Sequence, residues 1–102
     1  REGGILSESP ISQPEKIELL QNYPNPFNPV TTIQFILPNP AVVTLKVYNI
    51  IGVEVATLID QVELDDELQE VEFDARNYAS GVYFYRITTE GYCATRKMMV
   101  LK

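Results

Sequence analysis

The sequence contains no histidine and no tryptophan, and it has a single cysteine among 102 residues. Without an imidazole, Ser-His-Asp catalysis, Cys-His catalysis and the usual zinc sites are excluded, because each needs that group near neutral pH. The lone Cys93 cannot form an internal disulfide, and we predict a small, partly buried strand residue there. We therefore expect a domain that is not an enzyme and that holds no metal or other cofactor.

Basic residues and long apolar runs are also scarce. Eight Lys and Arg face 14 Asp and Glu, which gives a formal charge of −6. Nucleic acid and anionic lipid need clustered cations, so neither is expected as a partner. No apolar run approaches the roughly 18 residues of a membrane span, so none is predicted. Apolar residues still make up 45 % of the chain, enough for one domain with a real core.

The first 16 residues differ in composition from the rest. Glycine and proline are mixed there with serine, glutamate and glutamine, as is typical of linkers. Only Ile5, Leu6 and Ile11 interrupt that composition. We predict an extended tail over residues 1–16 and a folded domain over residues 17–102.

Short runs in which apolar and polar residues alternate predict seven strands and no helix. The predicted strands cover residues 17–20, 31–37, 43–48, 53–59, 69–73, 82–89 and 92–101. Turn residues recur about every 8–12 positions, which is typical of an antiparallel sandwich. We predict an all-β fold, a seven-stranded antiparallel immunoglobulin-like β-sandwich preceded by an extended N-terminal tail.

The turns carry three further predictions. Residues 49–52 read as a hairpin loop in which Gly52 supplies a positive φ, and residues 90–91 read as a tight hairpin turn. Tyr83 is either a tyrosine corner, bonded back to the chain just upstream, or an ordinary core aromatic. Val55 and Leu58 do not share a period of two, which a bulge in their strand would reconcile.

The acidic residues 60–67 are predicted to form a solvated loop. Carboxylates suit calcium, but the ordered ligand spacing and the turn glycine of a calcium loop are missing.

The most distinctive stretch is the Asn-Pro motif, made of Tyr23, Pro24, Asn25, Pro26, Phe27, Asn28 and Pro29. Its three prolines exclude a helix. We predict that Phe27 plugs one end of the sandwich and that Asn25 and Asn28 cap adjacent backbone groups. The motif is then a stiff crossover between strands, or alternatively a ligand for an aromatic peptide groove.

Several blocks together resemble one family. Residues 20–29 with 31–33, residues 47–52, residues 79–86 and residues 97–102 are similar to the C-terminal sorting domain of the type IX secretion system. The resemblance covers residues 17–102 and implies an immunoglobulin-like sandwich at the C-terminus of a cargo protein. The sequence departs from the family at residues 64–67, where a glycine-containing turn is usual.

The resemblance also implies partners and a recognition surface. Such domains are recognised in the periplasm, carried across the outer membrane by secretion-machinery proteins, and cut off by a sortase-like protease, so that the product is secreted or held at the cell surface. Cleavage is expected within residues 3–15. The recognition surface is expected to comprise Gly81 and the terminal residues Thr95, Arg96, Lys97, Met98, Met99, Val100, Leu101 and Lys102.

Two other functions stay open at this point. Ile5, Leu6 and Ile11 could add the tail as a strand to a neighbouring copy, and such a head-to-tail contact does not close, so the chain would be an extracellular subunit that self-assembles into a filament. A carbohydrate- or protein-binding module would need clustered exposed aromatics, for which Tyr48 and Tyr92 are the only candidates.

Overall fold

The structure, a computed structural model, describes residues 16–102. Its seven strands are β1 (Glu18–Leu19), β2 (Val30–Ile36), β3 (Ala41–Tyr48), β4 (Glu54–Leu64), β5 (Leu68–Asp74), β6 (Gly81–Thr89) and β7 (Tyr92–Val100). Neighbouring strands pair antiparallel, and no helix occurs in the described range. The all-β, seven-stranded antiparallel fold is thereby confirmed. The predicted tail, with Ile5, Leu6, Ile11 and the expected cleavage range, lies outside the described residues.

The strands form two sheets. One has the order β1-β2-β5 and the other the order β4-β3-β6-β7. The fourth strand therefore lies beside the third and does not extend the sheet of β1, β2 and β5. Consequently β4 and β7 are the two edges of the larger sheet, and β1 and β5 are the edges of the smaller one.

The core lies between the sheets and follows the predicted period of two. Inward side chains of β2, β3 and β6 are buried, and the side chains between them face outward, as alternation in a half-buried strand requires. Each large apolar side chain buried in this way stabilises the fold by about 1.5–3 kcal/mol. The buried side chains of these three strands are Thr31, Ile33, Phe35, Val43, Leu45, Val47, Tyr83, Tyr85 and Ile87.

One predicted loop is wrong over most of its length. Strand β4 continues to Leu64, so residues 60–64 are strand and not loop. Their backbone pairs with β3, with Val62 opposite Val43. An edge strand can project charged side chains into water while its backbone stays paired, which is why acidic composition misled the prediction.

The predicted bulge in β4 is confirmed. The register between β3 and β4 shifts at several points, and Gln61 has a positive φ of 54°. An extra residue at such shifts lets Val55 and Leu58 both pack against the core despite their odd spacing.

Both hairpin turns are also confirmed. Gly52 has a φ of 89°, and Asn49 Oδ1 accepts hydrogen bonds from the backbone N–H groups of Ile51 and Val53, at 3.1 and 2.9 Å. Gly91, with a φ of 81°, turns the chain between β6 and β7. Tyr83 is a tyrosine corner, since its hydroxyl donates to the carbonyl oxygen of Ala79 at 2.8 Å.

Candidate recognition surface on the last strand

Strand β7 carries most of the residues predicted as a recognition surface, and it divides them into two groups. Met98 and Val100 point inward and are each 1 % exposed, so they belong to the core. The remaining terminal residues are exposed: Thr95, Arg96, Lys97, Met99, Leu101 and Lys102. Of the predicted terminal residues, only these exposed members can touch a partner while the domain stays folded.

Cys93 also lies on β7, and the prediction that it is partly buried is wrong. Its side chain is exposed. The alternation of the strand explains this, because Cys93 shares its outward direction with Thr95 and Lys97, whereas the neighbouring Tyr92 and Ala94 turn toward the core.

The Asn-Pro motif is fastened to β7. Phe27 donates its backbone N–H to the carbonyl oxygen of Met99 and accepts from the N–H of Leu101, both at 3.0 Å, in a parallel bridge opposite Val100. Its ring is 2 % exposed and meets Phe73 edge-on, with centroids 6.1 Å apart. The prediction that Phe27 is a buried anchor is confirmed.

Asn25 acts at long range, and the predicted capping of adjacent backbone is wrong for this residue. Its side-chain Oδ1 accepts a hydrogen bond from the backbone N–H of Met99 at 3.0 Å, across 74 positions of sequence. A local pattern of prolines and asparagines contains no signal for so distant a partner. The Asn-Pro motif and the terminal residues, which belong to two of the blocks that resemble the family, thus form one structural unit.

A buried polar network supports this unit from below. Asn22 is 2 % exposed and donates through Nδ2 to Thr31 Oγ1 at 3.0 Å and to the carbonyl oxygen of Pro24 at 3.1 Å. The Tyr85 hydroxyl accepts from the Asn22 N–H at 2.9 Å and donates to the carbonyl oxygen of Leu20 at 2.6 Å. Burial raises the pKa of the Tyr85 hydroxyl above its ordinary value, so it remains a protonated donor. Sequence reasoning found Tyr85 only as a core residue and missed Asn22.

Strands β7 and β1 are joined across the open side of the sandwich by hydrogen bonds from side chains, and not by backbone pairing. Tyr92 donates its hydroxyl to the carbonyl oxygen of Ile17 at 3.0 Å, and Arg96 donates Nε to that of Leu19 at 2.6 Å. Gln21 donates Nε2 to the carbonyl oxygen of Lys97 at 2.8 Å. Between the two strands lies a groove of about 640 Å³, here called the β1–β7 groove.

Gly81 lies beside the C-terminal end of β7. It pairs with Val100 and has a φ of 149°, a conformation that side chains disfavour, although a Cβ atom there would meet no neighbouring atom within 4 Å. Ser80 Oγ accepts from the N–H of Lys102 at 2.9 Å, and Lys102 Nζ donates to the carbonyl oxygen of Arg76 at 2.8 Å. The structure therefore unites the predicted Gly81 with the terminal residues.

The perturbed carboxylates lie elsewhere. A hydrogen bond from the Thr57 hydroxyl, reinforced by Lys46, lowers the pKa of Glu54 on β4. A hydrogen bond from the backbone N–H of Arg76 lowers the pKa of Asp74 on β5. Both groups are exposed and belong to strands other than β7, whose surface presents backbone groups, apolar side chains and cations. Within residues 16–102, no three His, Cys, Asp or Glu side chains converge to hold a metal ion, and no helix is long and apolar enough to cross a membrane.

Comparison with protein-family models gives a match to the secretion system C-terminal sorting domain over residues 21–101. The matched range contains the whole Asn-Pro motif and all strands from β2 to β7, so it spans the unit described above. Neither the curated proteins nor the solved structures yielded a match.

Proposed function

Because the chain belongs to the family of type IX secretion C-terminal sorting domains, we propose that it directs a cargo fused to its N-terminal side across the outer membrane through a surface on β7. Membership itself implies interaction with the type IX secretion machinery and export to the cell surface or the medium. Sorting domains of this kind are generally non-catalytic. The observation that carries the proposal is the family match over residues 21–101.

The proposed surface consists of the exposed terminal residues together with Gly81. Met99 and Leu101 present apolar side chains that are 38 and 59 % exposed, and Lys97 and Lys102 add positive charge beside them. An apolar centre with charged neighbours is the usual anatomy of a protein-binding patch. The buried Met98 and Val100 hold this patch in place without contributing contacts.

Processing is proposed to occur in the tail, within residues 3–15, by a sortase-like protease of the secretion system. Two observations support this position. The family match begins at residue 21 and β1 begins at Glu18, so the proposed cut lies before both. The linker composition of the tail also suits access by a protease.

A reporter carrying residues 17–102 tests the sorting function. Deletion of residues 97–102 should retain the reporter in the periplasm, but it also removes the core residues Met98 and Val100. A sharper variant replaces only exposed side chains, as Met99→Ser with Leu101→Ser. Its matched control is Ile50→Ser with Ile51→Ser, since those side chains are 68 and 78 % exposed at the β3–β4 turn. Retention of the first variant and export of the second are expected, whereas export of both would contradict the proposed surface.

The other two functions receive no support from the described residues. Ile5, Leu6 and Ile11, on which the filament depends, lie outside them. That hypothesis stays a prediction, and a chain lacking residues 1–14 that still polymerises would disprove it. The aromatic pair of a binding module is engaged within the domain, because Arg86 covers the Tyr48 ring at 5.2 Å and the Tyr92 hydroxyl is bonded to Ile17.

A further inference from the structure

The outer edge of β7 is covered only toward its C-terminal end. Along an antiparallel strand, the backbone groups of alternate residues point away from the partner strand. Those of Met99 do so, since they bond Asn25 and Phe27 instead of β6. The backbone N–H and C=O groups of Cys93, Thr95 and Lys97 must point the same way. Apart from Lys97 O, which accepts from Gln21, these edge groups have no hydrogen-bond partner within residues 16–102.

A groove lies directly beside this open edge, which comprises residues 93–97. The β1–β7 groove of about 640 Å³ runs along it, lined by residues 17–21 and by Tyr92 and residues 94–97. Its apolar side includes Ile17, Leu19 and Ala94, all of which pack on the core. Because β1 belongs to the other sheet and does not pair with β7, it leaves the hydrogen-bonding positions of this edge to an added strand, which would lie about 4.8 Å from β7.

The charges along β7 define what would fit. Strand β7 contains Arg96 and Lys97 and no acidic residue, although the whole chain carries a net charge of −6. Arg86 of the adjacent β6 donates to Thr95 Oγ1 at 3.3 Å on the outer face, which brings a third cation close. A strand laid on the open edge would place alternate side chains beside Lys97 and Thr95, and the others over Ala94 and Ile17. The groove is also lined by Glu18, so the acidic side chains of the added strand would lie on the Lys97 face and the apolar ones on the groove face, and the complementary sequence alternates acidic and apolar residues.

We propose that the open edge of β7 accepts an extended, alternating acidic and apolar segment of a partner protein as an added strand. This inference deepens the proposed sorting function, on which it rests for the nature of the partner. Backbone hydrogen bonds to residues 93, 95 and 97 supply the affinity, and the groove and Lys97 supply the preference for the side-chain pattern.

A second copy of this chain is a poorer occupant than a separate partner. The acidic edge that a copy could offer is β4, with Glu54, Asp60 and Glu63. That strand is irregular, with register shifts against β3 and a positive φ at Gln61, and such distortion is a device that hinders pairing with another edge. A regular strand from another protein meets no such obstacle.

The test uses the full chain and a short peptide in which glutamate alternates with valine. Binding should slow amide hydrogen exchange of Cys93, Thr95 and Lys97 and shift their NMR signals. Two matched probes separate the contributions: replacing glutamate by lysine removes the charge complementarity, and N-methylating the acidic peptide removes its backbone donors. Both should bind at least several-fold more weakly.

Variants of the chain complete the test. Thr95→Pro deletes an edge N–H that β6 does not use, so the fold is retained while peptide binding is lost; Thr95→Val keeps the N–H and should bind normally. Lys97→Glu should weaken binding of the acidic peptide several-fold and strengthen binding of the lysine-containing peptide. Should Thr95→Pro not fold, the N-methylated probe still decides. Protection of β4 amides, equal binding of all three peptides, or a dimer joined through β7 in light scattering would each overturn the proposal.

The sorting function and this inference can fail separately. If the reporter with Met99→Ser and Leu101→Ser is retained and its Ile50→Ser, Ile51→Ser control is exported, but no probe protects residues 93–97, the sorting function stands and the added strand is wrong. If the acidic peptide binds the open edge while the reporter with altered Met99 and Leu101 is still exported, the edge stands and the proposed surface is wrong.

Discussion

Strands β4 and β7, the two edges of the four-stranded sheet, differ in how their unpaired backbone groups are protected from pairing with another chain. Unpaired backbone groups at any sheet edge invite pairing with another chain. Strand β4 is acidic and irregular, with a bulge near Gln61, whereas β7 pairs with β6 in unbroken register and carries only positive charge. The Asn-Pro motif covers one end of β7 and leaves the other open. One edge is thus protected by distortion, whereas the other is regular and only partly covered, which suits the recognition role proposed for it.

The largest expected difference between the edges comes from Phe27→Ala. Removing this buried ring leaves a cavity beside Phe73, so we expect a loss of about 3–5 kcal/mol in the free energy of unfolding, measured with urea. The amide of Leu101, bonded to Phe27, should also exchange faster. Val62→Ala on β4, where the side chain is 46 % exposed, is the matched control and should cost no more than about 0.5 kcal/mol. Equal effects of the two changes would refute the comparison.

Tyr85→Phe should have the next largest effect. It leaves the Asn22 N–H and the Leu20 carbonyl without their buried partner, which costs about 1–3 kcal/mol. The matched variant on the β4 side is Tyr78→Phe, whose half-buried hydroxyl donates to the Val55 carbonyl of β4 at 3.1 Å. That loss should be smaller, about 0.5–1.5 kcal/mol in the same urea titration.

Tyr85 also leads to a prediction about how the stability of the domain depends on pH. Because burial raises the pKa of the Tyr85 hydroxyl above its ordinary value, the folded state favours the protonated form. Its contribution is complete below the unfolded pKa of about 10 and is lost as pH rises through the folded value. The difference in free energy of unfolding between the native chain and Tyr85→Phe should therefore decrease under alkaline conditions. A gap that stays constant or widens would contradict the burial of this hydroxyl.

Asn25→Ala should weaken the cover of β7 without disturbing the core. The side chain is exposed and supplies one hydrogen bond to the Met99 N–H, so the expected loss is about 0.5–1.5 kcal/mol. Faster amide exchange should be confined to the end of β7 near Met99. Asn28→Ala, in the same motif and equally exposed, is the control, and its Met99 amide should exchange as in the native chain.

The smallest effect is expected on the β4 side, from Glu54→Gln. The Glu54 carboxylate lies 3.2 Å from Lys46 Nζ at an exposed position, where solvent and salt screen the pair. We expect no resolvable change in the urea midpoint, at low or high salt. A clear destabilisation that salt abolishes would show that charge, and not distortion alone, maintains this edge.

Much of the fold could be predicted because its strands bury one face. Alternation placed Ile33, Leu45 and Tyr85 in the core, and local turn chemistry placed the positive φ at Gly52. The far end of β4 could not be predicted in this way, since both faces of residues 60–63 meet solvent and no periodicity remains. The exposure of Cys93 follows from its place in the alternation of β7, and its residue type alone predicts the opposite.

The candidate site was harder to predict than the fold. Composition identified Phe27 as an anchor, and the resemblance pointed to the terminal residues, but nothing local linked the two. On the last strand their link uses backbone groups of Met99 and Leu101, which nearly every residue carries, and on the motif it uses the backbone of Phe27 and the side chain of Asn25. The identities of the terminal residues therefore give no information about it. Only the fold, which brings the first segment beside the last strand, reveals the contact.

The parallel bridge between Phe27 and Val100 has a mechanical consequence. A pull between the two ends of the described domain draws these parallel segments in opposite directions, along the strands and across their hydrogen bonds. The bonds from Phe27 to Met99 and Leu101, with those of Asn25 and Gln21, are then strained together in shear and do not open one after another. A domain so joined resists extension along its own chain, which is the direction in which a tethered cargo would tug on it.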